Sequence, residues 1–431
     1  MASINEFIRN SISKRDFKDM SSFSIGVSLS TFFIFLLNIL IANNLTKVEV
    51  GLFFLLAAFL NILLVLSMHG LQQSWIRFVE YPVKNKDTIL KDYFYIFLIT
   101  IFWCFLFFLL FVFIFNSFLY TKQISNFGLI LFLTFLFGSI LFETILIKYQ
   151  LALDFKKYGF LVAVPNFIRL SFSIIAIFLY GNLESILFSN FLSCCLLIII
   201  SCMLLRDPYW VQVKDFFKVF ELNDFVGSFL DFLGNNRKFL TINLLFVFHT
   251  QTPILYSSVF IDIETTANLG AAYTIFLGLY FLPNLIIQRY IFPLLAHQKK
   301  EKENIFRNIK FKVLLILSFG FLITAVGFLL SDILFYLIFP ESFRNSSIIF
   351  SIIMLSLPFK LLVAYLVNLT VLSDKTKELN KMVFLGLILN LVLFLVMKNL
   401  LSTPTLFFSL TFFEIILLIA ASICLNRKKT C

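Results

Sequence analysis

Long apolar runs of one size repeat along the chain, separated by short polar loops. A hydrocarbon core about 30 Å thick is crossed by roughly 20 apolar helical residues. Twelve runs reach that length: 22–43, 50–70, 93–116, 127–147, 159–180, 185–205, 239–261, 269–292, 312–332, 346–372, 382–399 and 405–425. Each predicts a membrane-spanning α-helix, which satisfies its own backbone groups inside lipid. Between the ninth and tenth runs, DILFYLIFP either extends the ninth or caps it as an interfacial piece. The longest polar interval, 206–238, has a different pattern. Lys214, Lys218, Glu221, Ser228, Asp231 and Asn235 recur at helical steps opposite Phe217, Phe220, Val226, Leu230 and Leu233, which predicts an amphipathic helix lying along the inner leaflet.

Charge gives these spans their sidedness. Of the 35 Lys and Arg residues, 28 fall in the N-terminus, the C-terminus and the loops after even-numbered spans. Four lie in loops after odd-numbered spans: Lys47, Lys122, Arg344 and Lys398. By the positive-inside rule both termini face the cytoplasm. The same distribution explains the net charge of +11 by basic loops beside spans, so no nucleic-acid partner is expected.

Composition agrees with the pattern. Hydrophobic residues make up 60% of the 431 positions, 61 of them Phe, and mean hydropathy is +0.96, well outside the soluble globular range. The first 21 residues are too polar and too long for a signal-peptide n-region, so the first run is expected to stay as an uncleaved span. The six cysteines show no CxxC or Cys/His spacing and read as small apolar fillers, and no metal or other cofactor is implied.

The interval 206–238 separates six spans, 1–205, from six more, 239–431. The halves share features at matching places. In the second span of each, a short polar loop leads to Gly and then to a run ending in Gln and Arg: Gly51, Gln72, Gln73 and Arg77 in one, Gly270, Gln288 and Arg289 in the other. In the fourth span of each, the exit loop is basic behind an Asp, in LALDFKKY and TVLSDKTKE. Halves of six spans begin on the same side, so such a repeat has its axis along the membrane normal, an arrangement in which a substrate site forms between two bundles.

Polar residues inside the spans fall into stripes. Ser24, Ser28, Thr31 and Asn38 share one face of the first span, as do Tyr273, Tyr280, Asn284 and Gln288 of the eighth; Asn166, Arg169 and Ser173 share a face of the fifth. The seventh carries a polar knot, His249, Thr250, Gln251 and Thr252, before Pro253. Such residues either hydrogen-bond helices together or line a hydrated cavity. The charges sharpen the choice. Arg169 and Lys360 sit mid-span in different halves, and a central cation costs about 2.5–3.5 kcal/mol even on insertion scales. They are either neutralised by Glu143 and Glu414, or they face a cavity and receive an anion while Glu143, Glu414 or His249 couples an ion. Arg77 and Arg289 lie at inner span ends, where snorkelling also explains a cation.

No GxxxxGK[ST], HExxH or GxSxG sequence occurs, so neither nucleotide hydrolysis nor these catalytic chemistries are expected, and no catalytic residue is assigned. A polysaccharide polymerase or ligase is a further alternative, and the short loops expected outside, with no large carboxylate-bearing loop among them, speak against it.

The segment VEVGLFFLLAAFLNILLVLSMHGLQQSWIRFVE resembles the second-span region of polysaccharide-type flippases in the multidrug, oligosaccharidyl-lipid and polysaccharide exporter superfamily. NLGAAYTIFLGLYFLPNLIIQRYIFPLLA is similar to its eighth-span counterpart, and ILFYLIFPESFRNSSIIFSIIMLSLPFKLLVAYLVNLTVLSDKTKELN to the stretch from span nine through span ten. The resemblance implies an all-α protein with twelve spans in two six-helix lobes around a central cavity. It implies transfer of undecaprenyl-pyrophosphate-linked oligosaccharide across a bacterial cytoplasmic membrane by alternating access, beside a polysaccharide polymerase and a chain-length regulator. The implied anion site is carried by Arg169 and Lys360, with Arg289 and Arg77 as further cations. Asn38, Asn166, Tyr273, Tyr280, Asn284, Gln288 and Gln251 would line the polar cavity. Ser373 and Asp374 stand where relatives carry Gly, and span seven lacks an Asp-Arg pair common among them, which leaves sugar and coupling ion open. An ion-coupled drug antiporter of the same superfamily is the alternative; its usual cationic substrates call for an acidic cavity.

Overall fold

The computed structural model describes residues 14–71, 86–110, 124–151, 154–205, 225–287, 309–372, 376–400 and 407–426. Its helices are α1 (Lys14–Asn44), α2 (Lys47–Met68), α3 (Lys86–Leu110), α4 (Asn126–Leu151), α5 (Phe155–Tyr180), α6 (Leu183–Leu205) and α7 (Phe225–Phe260). They continue as α8 (Ile263–Ile286), α9 (Ile309–Ile338), α10 (Asn345–Met354), α11 (Leu357–Leu372), α12 (Thr376–Leu400) and α13 (Phe408–Asn426). Among the described residues seven helices are long and apolar enough to cross a membrane, eight if the bent pair α10–α11 is one span. The chain is a multi-pass membrane protein. Large apolar side chains such as Phe178, Leu329 and Tyr336 stand exposed, as helices solvated by lipid require.

Two compact units divide the chain: Met1–Leu37 with Phe59–Leu244, and Asn38–Ala58 with Leu245–Cys431. In the first, α4, α5 and α6 pack on one another and α3 packs on α4. α1 meets α5 where Gly26 and Gly159 let the two backbones touch; a Cβ on Gly26 would collide with the Gly159 carbonyl. Asp154 caps α5 by accepting the Lys157 amide at 3.1 Å, and the helix ends at Gly181 in the left-handed region, φ 60°. Residues 206–224 of the expected amphipathic interval lie outside the described residues. From Phe225 onward that interval is one continuous helix with the seventh span.

In the second unit α2 and α8 cross closely through the repeat-matched glycines. Gly51 lies against the Ile263 carbonyl and Gly270 against the Phe54 ring. Asp262 caps α8, accepting the Thr265 amide at 2.6 Å and its hydroxyl at 2.8 Å.

The tenth span, expected as one run over 346–372, is instead two helices bent by 43° between Met354 and Leu357. The cause is local. Pro358 has no amide hydrogen to give the Met354 carbonyl four residues back. That carbonyl accepts the Thr324 hydroxyl of α9 at 3.0 Å. Ile316, Gly320, Thr324, Gly327, Ser331 and Phe335 form the buried stripe of α9, and its glycines admit the break. A Cβ on Gly320 would stand 2.7 Å from Pro358 Cα, and one on Gly327 2.6 Å from Met354 Cε.

Candidate functional site

α11 begins just after the break, and its first turn carries Lys360, whose amide bonds the Ser356 carbonyl at 2.9 Å. The side chain is 6% exposed. Its Nζ lies 3.6 Å from Glu414 Oε1 of α13, and over the rings of Phe276 and Tyr280 of α8, at 5.6 Å and 5.4 Å from their centroids. Both distances are within cation–π range. Glu414, 2% exposed, also receives His249 of α7, Nε2 to the same Oε1 at 3.0 Å. The imidazole packs edge-on to Phe413, centroids 4.4 Å apart. Val363, Val383, Phe413 and Leu417 form the apolar core beside it.

His249 opens the polar knot of span seven. Pro253 lies four residues on, so the His249 carbonyl has no intrahelical donor, and Thr252 turns its hydroxyl back to the Phe248 carbonyl. Glu414 Oε2 and His249 Nδ1 are buried without a hydrogen-bond partner. Of the two readings of Lys360, the second unit therefore shows an ion pair with Glu414, joined by His249.

Arg169 lies in the first unit on α5. Its Nε donates to Asn190 Oδ1 of α6 at 2.8 Å, and its guanidinium covers Phe135 of α4, 5.1 Å from the centroid. A turn along α5, the Ser173 and Ser189 hydroxyls meet at 3.0 Å. A turn the other way, Asn166 donates to the Ser30 hydroxyl of α1 at 2.8 Å. Glu143 is half-buried on α4, eight residues or about 12 Å along the helix from Phe135.

Among the other sequence candidates, Asn38 donates to the Thr274 hydroxyl of α8 at 3.1 Å and so ties two helices together. Gln251 reaches only its neighbour Thr250, at 3.4 Å. Tyr273 is buried and packs on Phe276, whose ring is parallel to that of Tyr280. Asn284 is half-buried, with a buried Oδ1 that has no partner. Arg77, Gln288 and Arg289 lie outside the described residues. Among the described residues no group of three His, Cys, Asp or Glu side chains stands close enough to hold a metal ion.

Asn190 and Thr324 were not legible as site or hinge residues. Asn190 lies among the serines of span six and Thr324 in an apolar run, and only the facing helix gives each its partner.

No protein-family model matches the chain, and no curated protein matches its sequence. Solved structures do match. The crystal structure of the eukaryotic MATE transporter AtDTX14 aligns with a TM-score of 0.70 at 12% identity, covering 96% of each chain. The lipid II flippase MurJ, in an inward closed conformation, aligns at 0.66 and 15% identity, over 94% of this chain and 87% of its own. The Vibrio cholerae MATE transporter VcmN in its bent form aligns at 0.54 and 12% identity, over 95% and 94%. The chain folds as these proteins do. MATE transporters and MurJ are members of the exporter superfamily that the span-two, span-eight and span-ten segments resemble, so the resemblance holds at the level of the fold.

Proposed function

We propose that the protein is a membrane flippase for an anionic, lipid-linked oligosaccharide. The twelve-span topology with cytoplasmic termini, and the bacterial cytoplasmic membrane as its location, belong to this proposal. So does supply of repeat units to a polysaccharide polymerase and chain-length regulator. The carrying observation is Lys360, buried in the first turn of the second half of a broken helix. Broken helices at membrane depth are where transporters build substrate sites, and the N-terminal end of a half-helix favours negative charge. Arg169 in the first unit supplies a second membrane-depth cation. Sugar hydroxyls and a diphosphate do not cross hydrocarbon unaided, so a polar, cationic route is the function required.

Within this reading Arg169 and Lys360 bind the diphosphate, with Arg289 and Arg77 as further contacts, and polar stripe residues such as Tyr280, Asn284 and Gln288 meet the sugars. Arg169→Ala and Lys360→Ala variants that still insert should accumulate unflipped lipid-linked repeat units on the cytoplasmic face. The measurement is leaflet-specific labelling of the lipid-linked sugar. Normal surface polysaccharide in both variants would remove these residues from the site. Drug antiport has one observation in its favour, the buried carboxylate of Glu414. It predicts drug sensitivity rather than a polysaccharide defect when the gene is deleted.

A further inference from the structure

Glu414 Oε1 takes two partners from two helices, and they hold it unequally. His249 Nε2 at 3.0 Å is at hydrogen-bond distance, whereas Lys360 Nζ at 3.6 Å exceeds the roughly 2.7–2.9 Å of a charge-assisted bond. The ammonium otherwise faces two aromatic rings, which attract a cation without bonding its N–H groups individually. The carboxylate can therefore keep the imidazole while releasing the ammonium. Glu414 Oε2 and His249 Nδ1, buried and unpartnered, are two places where a proton can be added.

The ionisable groups around Glu414 are few. Among the described residues α7 supplies His249, α8 Tyr273 and Tyr280, and α11 Lys360, while Tyr365 is a further ionisable residue of α11. α10 has no ionisable residue, and the charged residues of α12 described here, Glu378, Lys381 and Lys398, stand towards its two ends. With neutral His249 the cluster of Lys360 and Glu414 has no net charge. A further anion on Lys360 leaves a surplus negative charge in a low-dielectric interior, and one proton on the His249–Glu414 pair lowers that surplus by one unit.

We propose that Glu414 is a built-in counter-ion that an incoming diphosphate displaces from Lys360, and that the His249–Glu414 pair takes up one proton from water as this happens. The inference rests on the reading of Lys360 as the receptor of the headgroup. Anion and proton then favour each other's binding, so affinity rises as pH falls, by up to about tenfold per pH unit where the pair is empty in the free protein and protonated in the complex.

The test uses the full chain in lipid nanodiscs, with inorganic pyrophosphate and a polyprenyl diphosphate as probes. Calorimetry in buffers of different ionisation enthalpy counts the protons taken up. Wild type should take up about one proton more than E414Q, which should bind more tightly at neutral pH; the probe's own protonation cancels in the difference. Lys360→Gln should bind neither probe. Binding of pyrophosphate alone assigns the site to the diphosphate itself; binding of only the lipid form assigns it to a headgroup presented by the membrane. Both outcomes support the proposal when the extra proton accompanies them. Equal proton counts in wild type and E414Q, or no binding of either probe, overturn it. If E414Q does not fold, the wild-type count with fully ionised polyprenyl diphosphate decides, and zero overturns. Flipping that persists without proton uptake sinks this inference and spares the proposed function. Proton-linked binding without flipping does the reverse.

Discussion

At the scale of the residue, cost decides what a membrane-depth charge does. Lys360 and Glu414 are each too expensive to bury alone, and their contact within 4 Å turns two penalties into one shared interaction. Glu414→Ala should therefore destabilise the protein by about 3–5 kcal/mol, because it strands a buried ammonium against two rings. The double variant Lys360→Leu, Glu414→Leu should recover most of that loss, because it leaves neither charge buried without its partner. Denaturant unfolding in detergent measures both, and strictly additive losses would mean the two groups do not hold each other. From the sequence, both charges were legible as costly and in need of partners, and the Lys360–Glu414 pairing was one of two readings. Arg169 was legible as a cation too, but its partner Asn190 was not. An Asn within a span gives no sign of which helix it faces.

At the scale of the element, the informative feature is the interrupted tenth span. Hydropathy over 346–372 is continuous, so periodicity reads a single helix, and the lone proline only weakens that reading. The break becomes stable because α9 brings three things to it: Gly320 to admit Pro358, Gly327 to admit Met354, and the Thr324 hydroxyl for the freed carbonyl. Thr324→Val keeps the shape and removes the donor, which should cost about 1–3 kcal/mol for an unsatisfied buried carbonyl. Adding Pro358→Ala returns an amide to that carbonyl and should restore stability while straightening the helix. Unfolding midpoints give the first effect, and spin-label distances across the break the second. A Thr324→Val protein as stable as wild type would show that the hydroxyl does not support the bend.

At the scale of the whole molecule, the distribution of Lys and Arg makes the strongest claim. With 28 of 35 on one side of the proposed twelve-span topology, the loop at Asn182 should face outward and that at Asp154 inward. In a background without native cysteines, Asn182→Cys should react with an impermeant maleimide in intact cells. Asp154→Cys should react only after permeabilisation. The opposite pattern would reverse the topology and with it the inner face assigned to Arg77 and Arg289.

The division between sequence and tertiary structure follows from the range of the forces. Transfer of a side chain from water to hydrocarbon is a property of that residue and its neighbours, so the amino-acid order by itself determined that the chain is helical, crosses the membrane many times and buries a few cations at depth. Loop charge acts locally as well, and so it gives an expectation of sidedness in the same way. Contacts between helices depend on which face turns to which partner, and lipid is as apolar as a leucine, so hydropathy is silent about them. Only the folded chain decided that Asn38–Ala58 groups with Leu245–Cys431, that span ten breaks at Pro358, and that Lys360 and His249 meet on one carboxylate oxygen of Glu414.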